Sequence, residues 1–104
     1  MGSTDTIDHK LGKVMELIGD KWSARILYYL YENGPARYGE CQKAEKINTK
    51  TLPQRLTPLE KAALIEKKKK NESPPRTEYS ITAKGKELIP AFKVMAEWAE
   101  KNLS

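Results

Sequence analysis

The sequence predicts an α+β domain, mostly α, in which a helix-turn-helix leads into a two-stranded basic hairpin and is bracketed by N- and C-terminal helices. Three observations predict it. Apolar residues recur at helical spacing in separate windows along the chain, and two short β-patterned stretches flank a turn rich in proline. Charge is also concentrated: over residues 48–79, eight basic residues (Lys50, Arg55, Lys61, Lys67, Lys68, Lys69, Lys70, Arg76) face four glutamates, leaving +4 of the chain's net +5. Basic charge gathered on one supersecondary unit points to a polyanion, double-stranded DNA first. The predicted architecture is a winged helix-turn-helix.

Leu11, Val14, Met15 and Ile18 fall at i, i+3, i+4 and i+7 and give a first helix one apolar face, ending near Gly19. Asp20 is a suitable N-cap for a second helix carrying Trp22, Ile26, Tyr29 and Leu30, stopped by Asn33-Gly34-Pro35. Tyr38, Cys41 and Ala44 mark a short third helix. Asn48 or Thr49 caps a fourth, with Leu52, Leu56, Leu59 and Ala63 on its inner side. A start near Thr51 leaves Pro53 in the first turn, where its missing donor is harmless, whereas Pro58 is expected to bend the helix. Residues 64–69 and 77–81 read as paired strands, with Ile65, Tyr79 and Ile81 facing inward. Thr82 caps a last helix bearing Leu88, Phe92, Met95, Ala99 and Leu103, which Pro90 is expected to bend.

At 104 residues the chain predicts one domain, residues 10–104, after a disordered tail of residues 1–9 that has nothing to bury. No window approaches the roughly 18 apolar residues of a membrane span, and the N-terminus lacks a secretory apolar core, so the expected location is cytoplasmic, with no membrane partner. One cysteine and one histidine exclude an internal disulfide and a Cys/His zinc site; neither metal nor cofactor is expected. Without a Gly-rich phosphate loop, a placed carboxylate pair or a Cys/His dyad, the chain does not read as an enzyme. His9 reads as solvated and Cys41 as packing.

At about 100° per residue, Lys50, Gln54, Thr57 and Lys61 lie opposite the leucine stripe of the fourth helix. An amide that pairs bidentately with adenine, beside lysines and a hydroxyl that meet guanine or phosphate, suits a helix in the major groove. Thr49 and Thr51 complete that candidate surface. Arg55 is a DNA-contact candidate ranked below Gln54: it sits about 75° from the stripe's centre, an angle that suits an intramolecular ion pair nearly as well. For phosphates the candidates are Arg37, Lys68, Lys69, Lys70 and Arg76, the last at the hairpin tip where it also suits the minor groove. Alternation sends Lys67 and Lys69 to one face and Lys68 and Lys70 to the other, so only part of the run meets DNA; the rest guards an exposed edge. About five phosphate contacts give a log K against log salt slope of about −4 to −5.

Read together, these segments resemble the HxlR family of winged-helix transcriptional regulators, relatives of the MarR type. Gly19-Asp20-Lys21-Trp22 is similar to the family's Gly-Gly-Lys-Trp before helix two, and Arg37-Tyr38-Gly39-Glu40 to its Arg-Phe-Ser-Glu before helix three. The stretch Leu52-Pro53-Gln54-Arg55-Leu56-Thr57-Pro58-Leu59-Glu60 follows its recognition-helix pattern. Pro75-Arg76-Thr77-Glu78-Tyr79-Ser80-Ile81-Thr82-Ala83-Lys84-Gly85 follows its wing signature. The resemblance implies a sequence-specific DNA-binding regulator acting as a homodimer, its first and last helices forming the interface and its half-sites about 34 to 36 Å apart. Leu11, Val14, Met15, Ile18, Leu88, Phe92, Met95 and Trp98 are the interface candidates, although an intramolecular core would use the same residues. A small-molecule effector between the DNA-binding lobe and the dimer helices is a further implication, with no residue set that identifies it.

Two departures from the family pattern stand out. Some relatives sense oxidants through a cysteine just before helix one, where this chain has Thr6-Ile7-Asp8-His9. Ala63 replaces a glycine before Leu64-Ile65, which is tolerable where the local φ is negative. The rival readings are a winged-helix module that docks a protein and a non-specific nucleic-acid binder. The candidate face lacks the exposed aromatics expected of protein docking, and Tyr38, Tyr79 and Trp98 fall on apolar stripes, away from RNA bases.

Overall fold

The computed structural model describes residues 6–103. Its elements follow the order α1 (Ile7–Ile18), α2 (Ser23–Asn33), β1 (Ala36–Arg37), α3 (Tyr38–Glu45), α4 (Thr51–Lys61), β2 (Ile65–Lys70), β3 (Arg76–Ile81), α5 (Ala83–Lys86) and α6 (Ile89–Asn102). Residues 1–5 of the expected tail lie outside the described residues. Thr6 to His9, placed in the same tail from sequence, instead open α1: the Thr6 hydroxyl accepts the His9 amide at 3.1 Å, a standard N-cap.

The α1–α2 elbow is tight for a reason that can be read at two residues. A Cβ on Gly19 would lie 2.4 Å from the Met15 carbonyl oxygen, so only glycine closes the last turn of α1 here. Asp20 then caps the next helix with its carboxylate: Oδ2 accepts the amides of Trp22 (2.8 Å) and Ser23 (2.9 Å), while Oδ1 accepts the Ser23 hydroxyl. On α2, Ile26, Leu27 and Leu30 are fully buried and form the centre of the core. Leu27 was not on the predicted stripe, because α2 is enclosed over a wider arc than four residues mark.

Helices α3 and α4 end alike. Lys46 (φ 56°) and Ala63 (φ 63°) both adopt the left-handed conformation. In each case the following amide returns to the carbonyl five residues back, Ile47 to Gln42 at 3.2 Å and Leu64 to Leu59 at 2.9 Å. This is the Schellman arrangement, which satisfies stranded carbonyls and turns an apolar residue back onto the helix. Ile47 and Leu64 are accordingly buried. Two expectations fall with it. Ala44 is exposed, Ile47 taking its place in the core, and Ala63, expected on the inner side of α4, is exposed past its end, with a positive φ that does not meet the condition under which alanine is tolerable there.

The sheet has three strands in the order β1-β3-β2, all antiparallel. The predicted two-stranded wing is present as β2 and β3, with Ile65 opposite Ile81 and Lys67 opposite Tyr79. A third strand of two residues pairs Ala36 with Tyr79 and ties the base of the wing to the start of α3. Two residues are too few to leave an alternation signal in sequence.

The C-terminal segment is broken, not bent. Thr82 caps α5 by accepting the Gly85 amide at 3.0 Å, and its hydroxyl donates to the Ala63 carbonyl. Gly85 presses on the chain before β2, where a Cβ would meet the Leu64 carbonyl oxygen at 2.3 Å. A new helix, α6, then starts at Ile89. Pro90 stands in its first turn, where a missing N–H costs nothing, and so does not kink the helix.

Candidate nucleic-acid interface

Helix α4 is seated by three leucines, Leu52, Leu56 and Leu59, none more than 3% exposed. Burial of that stripe turns Gln54, Thr57 and Lys61 to solvent, as the helical period requires. Pro53 occupies the first turn, as expected. Pro58 lies in the body of the helix, yet the carbonyl of Pro58 still accepts the Ala62 amide at 3.0 Å.

The lead-in is equally fixed. Asn48 folds back through its side chain, Oδ1 accepting the Lys50 amide at 2.7 Å, and its carbonyl accepts the amides of Thr51 and Leu52. The Tyr38 hydroxyl donates to the Thr49 carbonyl at 3.0 Å, joining α3 to the start of α4. Thr49 and Lys50 are exposed beside the Gln54 face, and Thr51 is half-buried.

Arg55 is set apart from these residues. It is half-buried, with Nη1 3.5 Å from Oδ1 of Asp20, the carboxylate that caps α2. Burial raises the pKa of Asp20, but hydrogen bonds from the Ser23 hydroxyl and from the Trp22 and Ser23 amides outweigh it, and the net value lies below that of an ordinary carboxylate. Of the two roles open to Arg55 from its angle, the structure shows the ion pair, and it identifies the partner.

On the wing the basic charge divides. Lys67, Lys68 and Lys69 are exposed and form no ion pair among the described residues. Lys70 and Arg76 are engaged. Lys70 Nζ lies 3.7 Å from Glu78, Arg76 Nη2 lies 2.9 Å from the other oxygen of Glu78, and Arg76 Nε lies 3.4 Å from Glu72. Glu78 sits on the central strand between Arg37 and Lys68 in register, so one carboxylate stands among four basic residues. The sequence signal was available, since Glu72 and Glu78 bracket Arg76, but strand register was needed to show who faces whom. Arg37 is exposed, and its amide is bound by Glu40 at 2.7 Å.

The terminal helices separate into inner and outer residues. Ile18 and Phe92 are buried in the chain's own core, and Val14 and Leu88 pack partly against it. Leu11, Met15, Met95 and Trp98 stay 44% to 58% exposed, joined by Ile7 and Val94. Between α2 and α6 lies an open groove of about 470 Å³, with Tyr28, Tyr29, Phe92 and Met95 among its walls and Arg25, Glu45 and Lys93 among its polar lining. Arg25 and Glu45 pair at 3.3 Å. Cys41, not part of the groove, is buried, and burial, with the Glu45 carboxylate adding to it, pushes its thiol up to about 11.

Comparison with known proteins gives consistent relatives. A family model described as HxlR-like helix-turn-helix matches residues 17–104. An HTH-type transcriptional regulator of Halalkalibacterium halodurans is 38% identical over 96 residues, spanning 91% of this chain and 85% of the relative. The HTH-type transcriptional regulator YodB of Bacillus subtilis is 31% identical over 98 residues, spanning 93% and 87%. The reduced form of YodB superposes with a TM-score of 0.80 at 31% identity, over 89% of this chain and 91% of that one. YodB in a quinone-bound form is also similar, with a TM-score of 0.75 at 29% identity over 88% and 96%.

Proposed function

Because the chain belongs to the HxlR-like helix-turn-helix family, whose members are DNA-binding transcriptional regulators, we propose that it reads operator DNA as a homodimer, one α4 per half-site in the major groove. The observation that carries this reading is the exposed polar face of Lys50, Gln54, Thr57 and Lys61 on a helix whose other face is locked by three buried leucines. Gln54 supplies adenine readout, and Thr49, Lys50, Thr51, Thr57 and Lys61 supply contacts to base edges and nearby phosphates. Lys67, Lys68 and Lys69 supply phosphate contacts from the wing, with Arg37 at its base. Lys70 and Arg76 contribute less than their charge suggests, being shared with Glu78 and Glu72.

Dimerisation uses the outer residues of α1 and α6. The radius of gyration, 15.4 Å, exceeds the roughly 13 Å of a compact chain of this length, as projecting elements require. Leu11, Met15, Met95 and Trp98, with Ile7 and Val94, then find cover across a twofold axis. Ile18 and Phe92 serve mainly as the floor beneath that contact.

The groove between α2 and α6 is the place for a small, mostly apolar effector, in line with its tyrosine, phenylalanine and methionine walls. A thiol switch is a poor fit to this chain. Its one cysteine is in the core with a raised pKa, the opposite of a reactive thiolate. As pH rises past the ordinary value of 9.0 towards about 11, the unfolded thiol ionises while the folded one stays neutral, so Cys41 contributes stability below that window that is lost within it. Urea unfolding across these pH values should show a steeper decline in wild type than in Cys41→Ala, which keeps only the decline from Tyr29 and Tyr79, both also raised by burial.

The functional test is a salt-titrated binding isotherm on the promoter-region duplex and on a scrambled duplex, with light scattering on the same sample. The expected result is a dimer with a promoter preference above about a hundredfold. A monomer without preference would sink the reading.

A further inference from the structure

The geometry points to Arg55 as a positioning residue: through Asp20 it holds the recognition helix α4 in register with the α1–α2 elbow, and it does so in place of touching DNA. The inference rests on the major-groove reading of α4 and adds to it the means by which that helix is aimed.

Asp20 is the junction of three elements. Its Oδ2 takes the first free amides of α2, its Oδ1 takes the Ser23 hydroxyl, and the same Oδ1 faces Arg55 Nη1 at 3.5 Å. Immediately before it, Gly19 closes α1 with no room for a Cβ and bonds back to Met15 at 2.8 Å, so α1 cannot swing without moving the carboxylate. Ser23 is itself 1% exposed, which pins the carboxylate from the other side. The leucine stripe fixes how deep α4 sits. Apolar contact is non-directional, however, and a helix resting on three leucines can still roll or slide along its axis. A charge pair near the middle of α4 opposes that freedom, because rolling or sliding the helix lengthens the 3.5 Å separation of Arg55 Nη1 from Asp20 Oδ1. Both groups are partly shielded, Arg55 at 33% and Asp20 at 22% side-chain exposure, which spares the pair much of the screening that weakens surface ion pairs.

This predicts a signature that a DNA-contacting arginine would not give. Binding of wild type, Asp20→Asn, Arg55→Gln and the double variant is measured on the promoter-region and scrambled duplexes over a salt series. Asp20→Asn retains an oxygen for the Trp22 and Ser23 amides, removes the charge facing Arg55 and puts an NH2 where Oδ1 accepts the Ser23 hydroxyl, which can turn to accept from it instead. Each single change should lower the promoter preference about three- to tenfold, and the double should lose no more than the worse single, as coupled residues do. The salt slope should stay as in wild type. If Arg55 instead contacted a phosphate, Arg55→Gln would flatten the slope by about 1.8, one contact from each protomer of the dimer, and weaken both duplexes alike. Asp20→Asn would then tighten binding by freeing a cation, and either result overturns the proposal.

A wild type without any promoter preference would overturn the reading of α4 and leave the pair to be judged in the free protein. There, amide hydrogen exchange at Arg55, Leu56, Thr57 and Leu59 should be several-fold faster in Asp20→Asn than in wild type, with amides in the middle of α6 unchanged. Equal exchange in the two proteins would overturn the pair's role.

Discussion

The recognition helix and the wing carry similar kinds of side chain and are built on opposite terms. Helix α4 is held by Leu52, Leu56 and Leu59 below, by Tyr38 at its lead-in and by Asp20 at its flank, and its polar face is left free. The wing beyond Ile65 has no fully buried residue, Tyr79 and Ile81 packing only partly against the core, and its cations are partly cancelled by Glu72 and Glu78. A run of charge is therefore no measure of the charge offered to a ligand. On the proposed reading, α4 offers orientation, for sequence preference, and the wing offers uncommitted lysines, for affinity without preference.

The contrast breaks most severely at the seat of α4. Leu59→Ala should cost about 2 to 5 kcal/mol in urea unfolding, whereas Lys68→Ala should leave the midpoint where it is. Next in size, Gln54→Ala should cost about 1 to 3 kcal/mol of discrimination between promoter and scrambled duplexes, with scrambled binding unaltered. Replacing Lys68 and Lys69 together with alanine should weaken both duplexes equally and flatten the salt slope by about 3.6, two contacts from each protomer of the proposed dimer. Glu78→Gln, by releasing Lys70 and Arg76, should move affinity and slope the other way; a slope that flattened would mean that Glu78 organises the wing for DNA. The smallest change is Ala63→Gly, which relieves a left-handed alanine and should raise stability by about 1 kcal/mol without altering DNA preference, a shift visible in Tm.

The helices were legible in sequence because their signal is a repeat over many residues, as in Leu52, Leu56 and Leu59. The strands of the wing were legible through their turn and the parity of Ile65, Tyr79 and Ile81. What escaped were features that depend on one residue or on distant partners. Ile47 enters the core only because Lys46 goes left-handed, and β1 exists only because β3 lies beside it. Pro90 reads as a kink until the chain is seen to break at Glu87 and Leu88 and begin a new helix. At the candidate site, the exposed face of α4 followed from angle alone, since burial of one stripe dictates the other. The commitment of Arg55, Lys70 and Arg76 to carboxylates did not, because ion pairs are settled by three-dimensional neighbours: α2 and α3 lie between Asp20 and Arg55 in the chain.

The order β1-β3-β2 also bears on how the chain is made. Ala36 lies about forty residues ahead of Tyr79, its strand partner, so during synthesis the first strand leaves the ribosome well before the sheet can close. The helix-turn-helix between them is thus not a detachable unit. A chain truncated after α4 would leave Ala36 without its strand partner and expose the apolar floor that Ile65 and Phe92 complete. A nascent chain that stalls short of β3 therefore lacks both partners of the sheet, and the proposed operator-binding surface would come with the last third of the polypeptide, not by degrees.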